Sequence, residues 1–341
     1  MENGLRYFAE WELDGPVLLA LPHSATDWVD YLDETIDQYG RILQALERGG
    51  EKIWLIVKDK VEAEALLSGY GLDNTRFIEI PVNDTWIRDY GPITVRRHDR
   101  IRTLDFGFNG WGLKFAADKD NLVNLNLNNQ GFLKNSYKNL RSFILEGGSI
   151  ETDGQGTLLT TSHCLLSPNR NGSLSKKEIA DFLSDHLGVS HILWLDYGHL
   201  AGDDTDSHID TLCRLAPGNI ILFTCCRDVD DEHFEDLLKM RAQLTLFRNI
   251  EGDPFNLVEL PLPEAIYDVD GNRLPATYAN YLVTPRAVYM PVYNQPATDR
   301  LACETIRIAF PDHKVIPIDC NILIRQHGSL HCSTMTLSNN I

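Results

Sequence analysis

The chain has 341 residues, 43% of them apolar and 23% charged, which supplies a core and excludes bulk disorder and low-complexity or fibrous architectures. Its 31 lysines and arginines against 49 aspartates and glutamates leave a formal net charge of −18, which repels phosphate backbones and argues against nucleic-acid binding. No stretch approaches the ~20 consecutive apolar residues that cross a bilayer. The acidic start MENGLRYFAEWELDG lacks the basic and apolar regions of a signal peptide, and seven scattered cysteines without a CxxC pair fit a reduced, cytoplasmic compartment.

In chain order, Val17–Leu21 (VLLAL) and Lys52–Val57 (KIWLIV) read as buried strands. Between them, Leu32, Ile36, Tyr39, Leu43 and Leu46 form one 3.6-residue stripe, which predicts a helix over Asp30–Glu47. Phe77–Val82 reads as a strand entering the polar loop NDTWIRDYGP. Thr157–Thr161 is the next strand, and Ser175-Lys-Lys-Glu178 is a capping box for a helix that stops near Gly188. Ile192–Leu195 then runs into DYGHLAGDDTDSHID. A strand over Asn219–Thr224, a helix within 231–247, a strand over Ala287–Val292 and a helix from Thr298 to Pro311 follow. Val315–Ile318 closes the series and enters DCNILIRQHGSLHC. The recurring unit is an apolar run, a polar loop, an amphipathic helix and a second apolar run, about five times at ~70 residues each. Side chains placed after equivalent strands converge on an axis if the units form a ring; an open α/β sheet is the alternative.

Cys332 stands behind a Gly328-Ser329 turn and beside His331. Such a turn exposes a thiol and aims backbone N–H groups at it, favouring the nucleophilic thiolate. Cys213, Cys225 and Cys226 sit in apolar runs and read as small core residues. His208 is crowded by Asp203, Asp204, Asp206 and Asp210. If the segment is extended, residues 206, 208 and 210 share a face, and a neighbouring carboxylate makes the imidazole a better acid/base. A solvated acidic loop is the plainer reading, and the lack of a second histidine at metal-ligand spacing from His208 argues against zinc. In NDTWIRDYGP, Trp86 offers a flat wall, Asp84 and Asp89 are candidate anions, and Arg88 can pair with one of them; an Arg88–Asp84 salt bridge beside the Gly-Pro turn is the plainer structural reading. Gly147-Gly148 permits close backbone approach beside Glu146 at a strand end. The glycine-interleaved aromatics of 105–115, Trp111 among them, read as a lid or pocket wall. Several carboxylates around a thiol and an imidazole imply a cationic electrophile. A guanidinium, planar and offering paired N–H donors, fits them, whereas amide hydrolysis by a Cys–His pair wants oxyanion donors.

On NDTWIRDYGP (83–92), FNGWGLKF (108–115), LEGGSIETDGQGTLLTT (145–161), DDTDSHID (203–210), LPATYANYL (274–282) and HGSLHC (327–332), the chain resembles the agmatine deiminase family. That family is related to bacterial-type peptidylarginine deiminases within the guanidino-group-modifying (pentein) superfamily. The resemblance implies an α/β fold, a five-bladed α/β propeller of pseudo-fivefold ββαβ-type repeats, as one catalytic domain over 1–341. It implies hydrolysis of agmatine to N-carbamoylputrescine and ammonia through a cysteine thiouronium. By motif, Cys332 corresponds to the nucleophile, His208 to the acid/base, Asp89 and Asp210 to the guanidinium-holding pair, and Glu146 to a carboxylate near His208. Trp86 and Trp111 correspond to pocket aromatics, Gly328 to the substrate-binding loop, and Asp204 to an acid for the distal amine. The chain departs from the family at His327-Gly328, where many members carry Gly-Gly; the histidine is expected to alter loop flexibility or add a titrating group. No metal or organic cofactor is implied. The expected partner is a small guanidine rather than nucleic acid or membrane, and a homo-oligomer is allowed. Arginine or peptidylarginine deimination is the alternative, followed by an inactive guanidine- or polyamine-binding protein and, more distantly, a metallohydrolase.

Overall fold

The β-branched and leucine-rich runs form strands in the computed structural model, which describes residues 4–133 and 136–339. Residues 1–3 of the acidic N-terminal stretch and 340–341 of the expected 1–341 domain lie outside the described residues. The strands assort into five sheets. Four contain the expected runs. Val17–Ala20 pairs in parallel with Ile53–Val57, and that strand with Thr75–Glu79. Thr157–Thr161 lies between antiparallel Ile150–Thr152 and parallel His191–Leu195. Ile220–Cys225 lies between antiparallel Cys213–Ala216 and parallel Asn256–Pro261. Ala287–Val292 lies between antiparallel Leu282–Val283 and parallel Lys314–Asp319.

The remaining sheet, Leu5–Tyr7, Ile93–Arg97, Arg100–Gly107 and Tyr137–Ile144, lies outside the expected strands. Its sequences (ITVRR, RIRTLDFG, YKNLRSFI) mix apolar with charged residues, because these strands are buried over only part of their length. A search for continuous apolar runs passes over such strands.

Helices cover the sheets where the stripes place them. Leu32–Gly49 buries Ile36, Tyr39, Leu43 and Leu46 and ends at Gly50 in the left-handed region (φ 92°). Its first expected residues form a separate short turn, Val29–Tyr31. Lys176–Leu187 has the capping box, with Glu178 N–H donating to the Ser175 side chain, and ends at Gly188 (φ 74°). Phe234–Leu244 and Pro296–Ala309 complete the expected set.

One regularity of the topology positions the site. In every sheet the strand that pairs in parallel at one edge leads into the connection to the next sheet. Thr75–Glu79 leads to Asp89, Tyr137–Ile144 to Glu146, and His191–Leu195 to His208 and Asp210. Asn256–Pro261 leads to Asn280, and Lys314–Asp319 to Cys332. After Cys332 the chain returns to its beginning, where Met335–Thr336 pairs antiparallel with Val17–Ala20.

Candidate active site

The connections meet around a glycine. Gly148 N–H donates to Asp89 Oδ1 at 3.0 Å. A Cβ at Gly148 would stand 2.7 Å from His208 Nδ1, 2.8 Å from Asp89 Oδ1 and 3.1 Å from Asp210 Oδ2. Three side chains from two connections therefore converge on a point that only glycine leaves open. His208 is fully buried, its Nδ1 3.5 Å from Asp89 Oδ1 and its Nε2 3.6 Å from Glu146 Oε2. Among the described residues neither ring nitrogen has a hydrogen-bond partner, nor does Asp210 Oδ1. Buried polar atoms without partners are costly, and a polar ligand placed among them would satisfy them.

The segment before His208 is not extended, so residues 206, 208 and 210 do not share a face by strand alternation. Asp206 (φ 66°) and Ser207 (φ 62°) are left-handed. The Asp203 carboxylate accepts from the N–H groups of Thr205 and Ser207, Thr205 Oγ1 accepts from His208 N–H, and a helical turn begins at Ile209. Short polar side chains thus capture the backbone as a turn. His208 and Asp210 reach the site from the turn and the helix start, while Asp206 points to Arg170 and Lys114.

The thiol also departs from expectation. Cys332 is only 5% exposed. Asn280 Nδ2 donates to its sulfur at 3.1 Å, and Asn280 Oδ1 accepts from the N–H groups of His331 (2.9 Å) and Cys332 (3.2 Å). Sγ lies 3.8 Å from Asp210 Oδ2. Burial, then the charges of Asp210 and Asp89, hold the thiol well above its ordinary pKa. The turn therefore buries the thiol among anions and disfavours thiolate until a cation offsets them.

The neighbouring groups are shifted as a set. Burial pushes Asp89 up to about 6; Asp210 and Glu146 reinforce it, and His208 and Trp111 oppose it. Burial disfavours a charged His208, but Asp89, with Cys164 and Glu146, raises it well above the usual histidine value. Burial raises Glu146, yet the adjacent His208 ring and the charge and hydrogen bonds of Arg170 leave it below the ordinary range. Asp210 is likewise held low, burial being outweighed mainly by His331, whose Nδ1 is 2.7 Å away.

Arg88 does not pair with Asp84. It turns to the buried Glu10, which also takes Arg214 at 3.0 Å and His331 Nε2 at 3.1 Å. Asp84 is satisfied instead by Trp28 Nε1 (3.2 Å) and Thr85 N–H (2.7 Å). Asn280, Glu10 and Arg170 were not among the residues the sequence singled out. An asparagine or a glutamate inside an otherwise apolar run is the available signal.

Above Cys332 is a cavity of about 90 Å³ walled by Trp86, Trp111 and Phe115. Four aspartates line it, Asp27, Asp84, Asp89 and Asp204, and among the described residues no lysine or arginine does. Trp111 (φ 54°) donates from Nε1 to Asp89 Oδ2 at 2.8 Å. The Trp86 ring covers Gly328, where a Cβ would approach to 2.4 Å. His327, left-handed at φ 67°, also borders the cavity, its Nδ1 2.8 Å from Gly202 O. Glu146, Cys164 and His208 offer metal-ligand atoms within 4.8 Å of one another. Both Glu146 oxygens, however, face Arg170 Nε at 2.7 and 3.0 Å, so a guanidinium already neutralises the one carboxylate such an ion would need.

Residues 6–337 match the model of the Porphyromonas-type peptidyl-arginine deiminase family. A protein of Shewanella sp. (strain MR-4), provisionally named agmatine deiminase, is 31% identical over 98% of this chain and 95% of its own length. A cysteine-to-serine variant of C. jejuni agmatine deiminase with substrate bound superposes at a TM-score of 0.91, with 38% identity, 98% of this chain and 96% of the other covered. A dimethylarginine dimethylaminohydrolase shares the fold at a TM-score of 0.52 and 14% identity over 95% and 99% of the two chains.

Proposed function

The chain belongs to the Porphyromonas-type peptidyl-arginine deiminase family, and on that premise we propose that it hydrolyses agmatine to N-carbamoylputrescine and ammonia, with Cys332 as nucleophile. The observation that carries the choice of substrate is the cavity's charge. Four aspartates and no lysine or arginine suit a dication with a guanidinium at one end and an ammonium at the other. The α-carboxylate of arginine would meet like charge there, which costs several kcal/mol.

In this reading Asp89 and Asp210 hold the guanidinium, stacked between Trp86 and Trp111, with its carbon over Cys332. The cation offsets the two carboxylates that oppose thiol ionisation, and Cys332 loses its proton to solvent as substrate binds. The thiolate adds to the guanidinium carbon. His208, held protonated between Asp89 and Glu146, gives its proton to the departing nitrogen, and ammonia leaves a thiouronium on the sulfur. Neutral His208 then deprotonates a water as it attacks the thiouronium carbon, the C–S bond breaks, and the proton left on the added hydroxyl passes to the departing sulfur, which releases the ureide and restores the Cys332 thiol. Asp204, on the cavity wall, takes the distal ammonium.

The five sheets are read as blades about a pseudo-fivefold axis in one catalytic domain. The five edge strands that each lead to a site residue support that reading. Among the described residues no helix is long and apolar enough to cross a membrane, and cytoplasmic residence fits the unpaired cysteines. A comparison of ammonia release from agmatine, arginine and an arginyl peptide tests the assignment. Agmatine is expected to lead arginine by ~100-fold or more in kcat/KM, and a preference for arginine or the peptide would overturn it.

A further inference from the structure

The acid/base pair His208–Glu146 is not self-supporting. His208 follows two left-handed non-glycine residues, Asp206 and Ser207, a strained approach that persists only where its surroundings over-determine it. Glu146 is a fully buried carboxylate, and such a charge needs a partner. One side chain serves both. Arg170, on the helical turn Pro168–Asn171, has no exposed side-chain surface. Its Nε sits 2.7 Å from Glu146 Oε2 and 3.0 Å from Oε1. Its Nη1 donates to Asp206 Oδ2 at 2.6 Å and its Nη2 to the Thr205 carbonyl at 2.9 Å. The planar guanidinium thus grips the carboxylate on one side of the imidazole and the strained turn that delivers the imidazole on the other. The other oxygen of Asp206 takes Lys114 Nζ at 2.7 Å, and Lys114 also reaches the Asp204 carbonyl at 2.5 Å, tying the same turn to the Trp111 loop. Gly112 of that loop lies against this arrangement: a Cβ there would stand 3.5 Å from Arg170 Nη1.

We propose that Arg170 is the positioning residue of the reaction, holding Glu146 and the 205–206 turn in one fork so that the His208 imidazole is presented to the leaving nitrogen. The inference rests on the deiminase reading above, and it places Arg170 outside contact with substrate. Arg170 moves no proton itself; the proton that departs with ammonia comes from His208. Steps that need no proton at the leaving group therefore do not need Arg170.

That division is testable with Arg170→Lys, which keeps the charge and loses the fork. 2-Chloroacetamidine carries an amidinium for the Asp89–Asp210 clamp and a chloride that leaves unprotonated when Cys332 is alkylated. The variant is expected to lose ~30-fold or more in kcat for agmatine, with KM and the rate of Cys332 alkylation each within ~3-fold of wild type. Asp206→Asn, on a partly exposed residue, covers the case in which Arg170→Lys does not fold. It is expected to show the same split at ~5–10-fold in kcat. A parallel fall of turnover and alkylation in both variants would make Arg170 a structural residue and overturn the proposal, as would unchanged turnover. A wild-type protein that alkylates at Cys332 yet releases no ammonia from agmatine would overturn the substrate reading, and this inference with it.

Discussion

Asp89 opposes thiol ionisation in the free protein, and in the proposed reaction it holds the guanidinium. Its folded pKa of about 6 lies above the ordinary aspartate value. The charged form therefore costs stability, which is present below the unfolded pKa and lost as pH rises through about 6. The charged form is also the one that binds a cation. kcat/KM is expected to fall about tenfold per pH unit below about 6, while the kcat limb sits lower, because bound cation stabilises the carboxylate. Asp89→Asn should lose at least ~100-fold in kcat/KM, the buried cation being left uncompensated, and should melt no lower than wild type at pH 8. Cys332→Ala is expected to retain the fold by circular dichroism and release no ammonia. At this scale the sequence was informative where chemistry is local: a Gly-Gly beside a glutamate, or an HC pair behind a turn. It did not reveal Asn280, some 50 positions from the sulfur it donates to, nor that the turn would bury that sulfur. Both depend on which connections meet, and spacing along the chain does not encode that.

Among the elements, the loop carrying Asn83 to Asp89 is braced from below by Asp120. That buried carboxylate accepts from Asn83 N–H at 2.6 Å and is raised to about 8, chiefly by burial. Its stabilising protonated form is lost as pH rises through that value. The stability of Asp120→Asn relative to wild type should therefore increase with pH, by up to about 1.4 kcal/mol per unit between roughly pH 4 and 8. Melting temperatures of the two proteins at pH 5, 7 and 9 check the sign. Ser175→Ala removes a formed capping box and should cost about 1 kcal/mol in denaturant unfolding. This box, like the apolar stripe of Leu32–Gly49, was legible because it depends on residues within one or two turns. The sheet holding Ile93–Arg97 was not legible, because its strands carry charge on part of their length and reveal their apolar residues only in pairing.

Across the whole molecule, Glu10 near the N-terminus joins Arg88 and His331, from two connections, to Arg214 on the strand Cys213–Ala216 behind the site. Breaking a buried ionic cluster from one member costs about 3–5 kcal/mol. Glu10→Ala is expected to destabilise by that order in urea unfolding and to impair turnover through Asp210, which His331 orients. The recurring strand–loop–helix–strand unit was readable as repetition, but the placement of five edge strands around one site needed coordinates. The account finally turns on the sulfur. Acid-quenching the protein during turnover of agmatine and weighing its peptides should find the Cys332 peptide heavier by agmatine less ammonia. A label on any other side chain, with Cys332 unmodified, would contradict it.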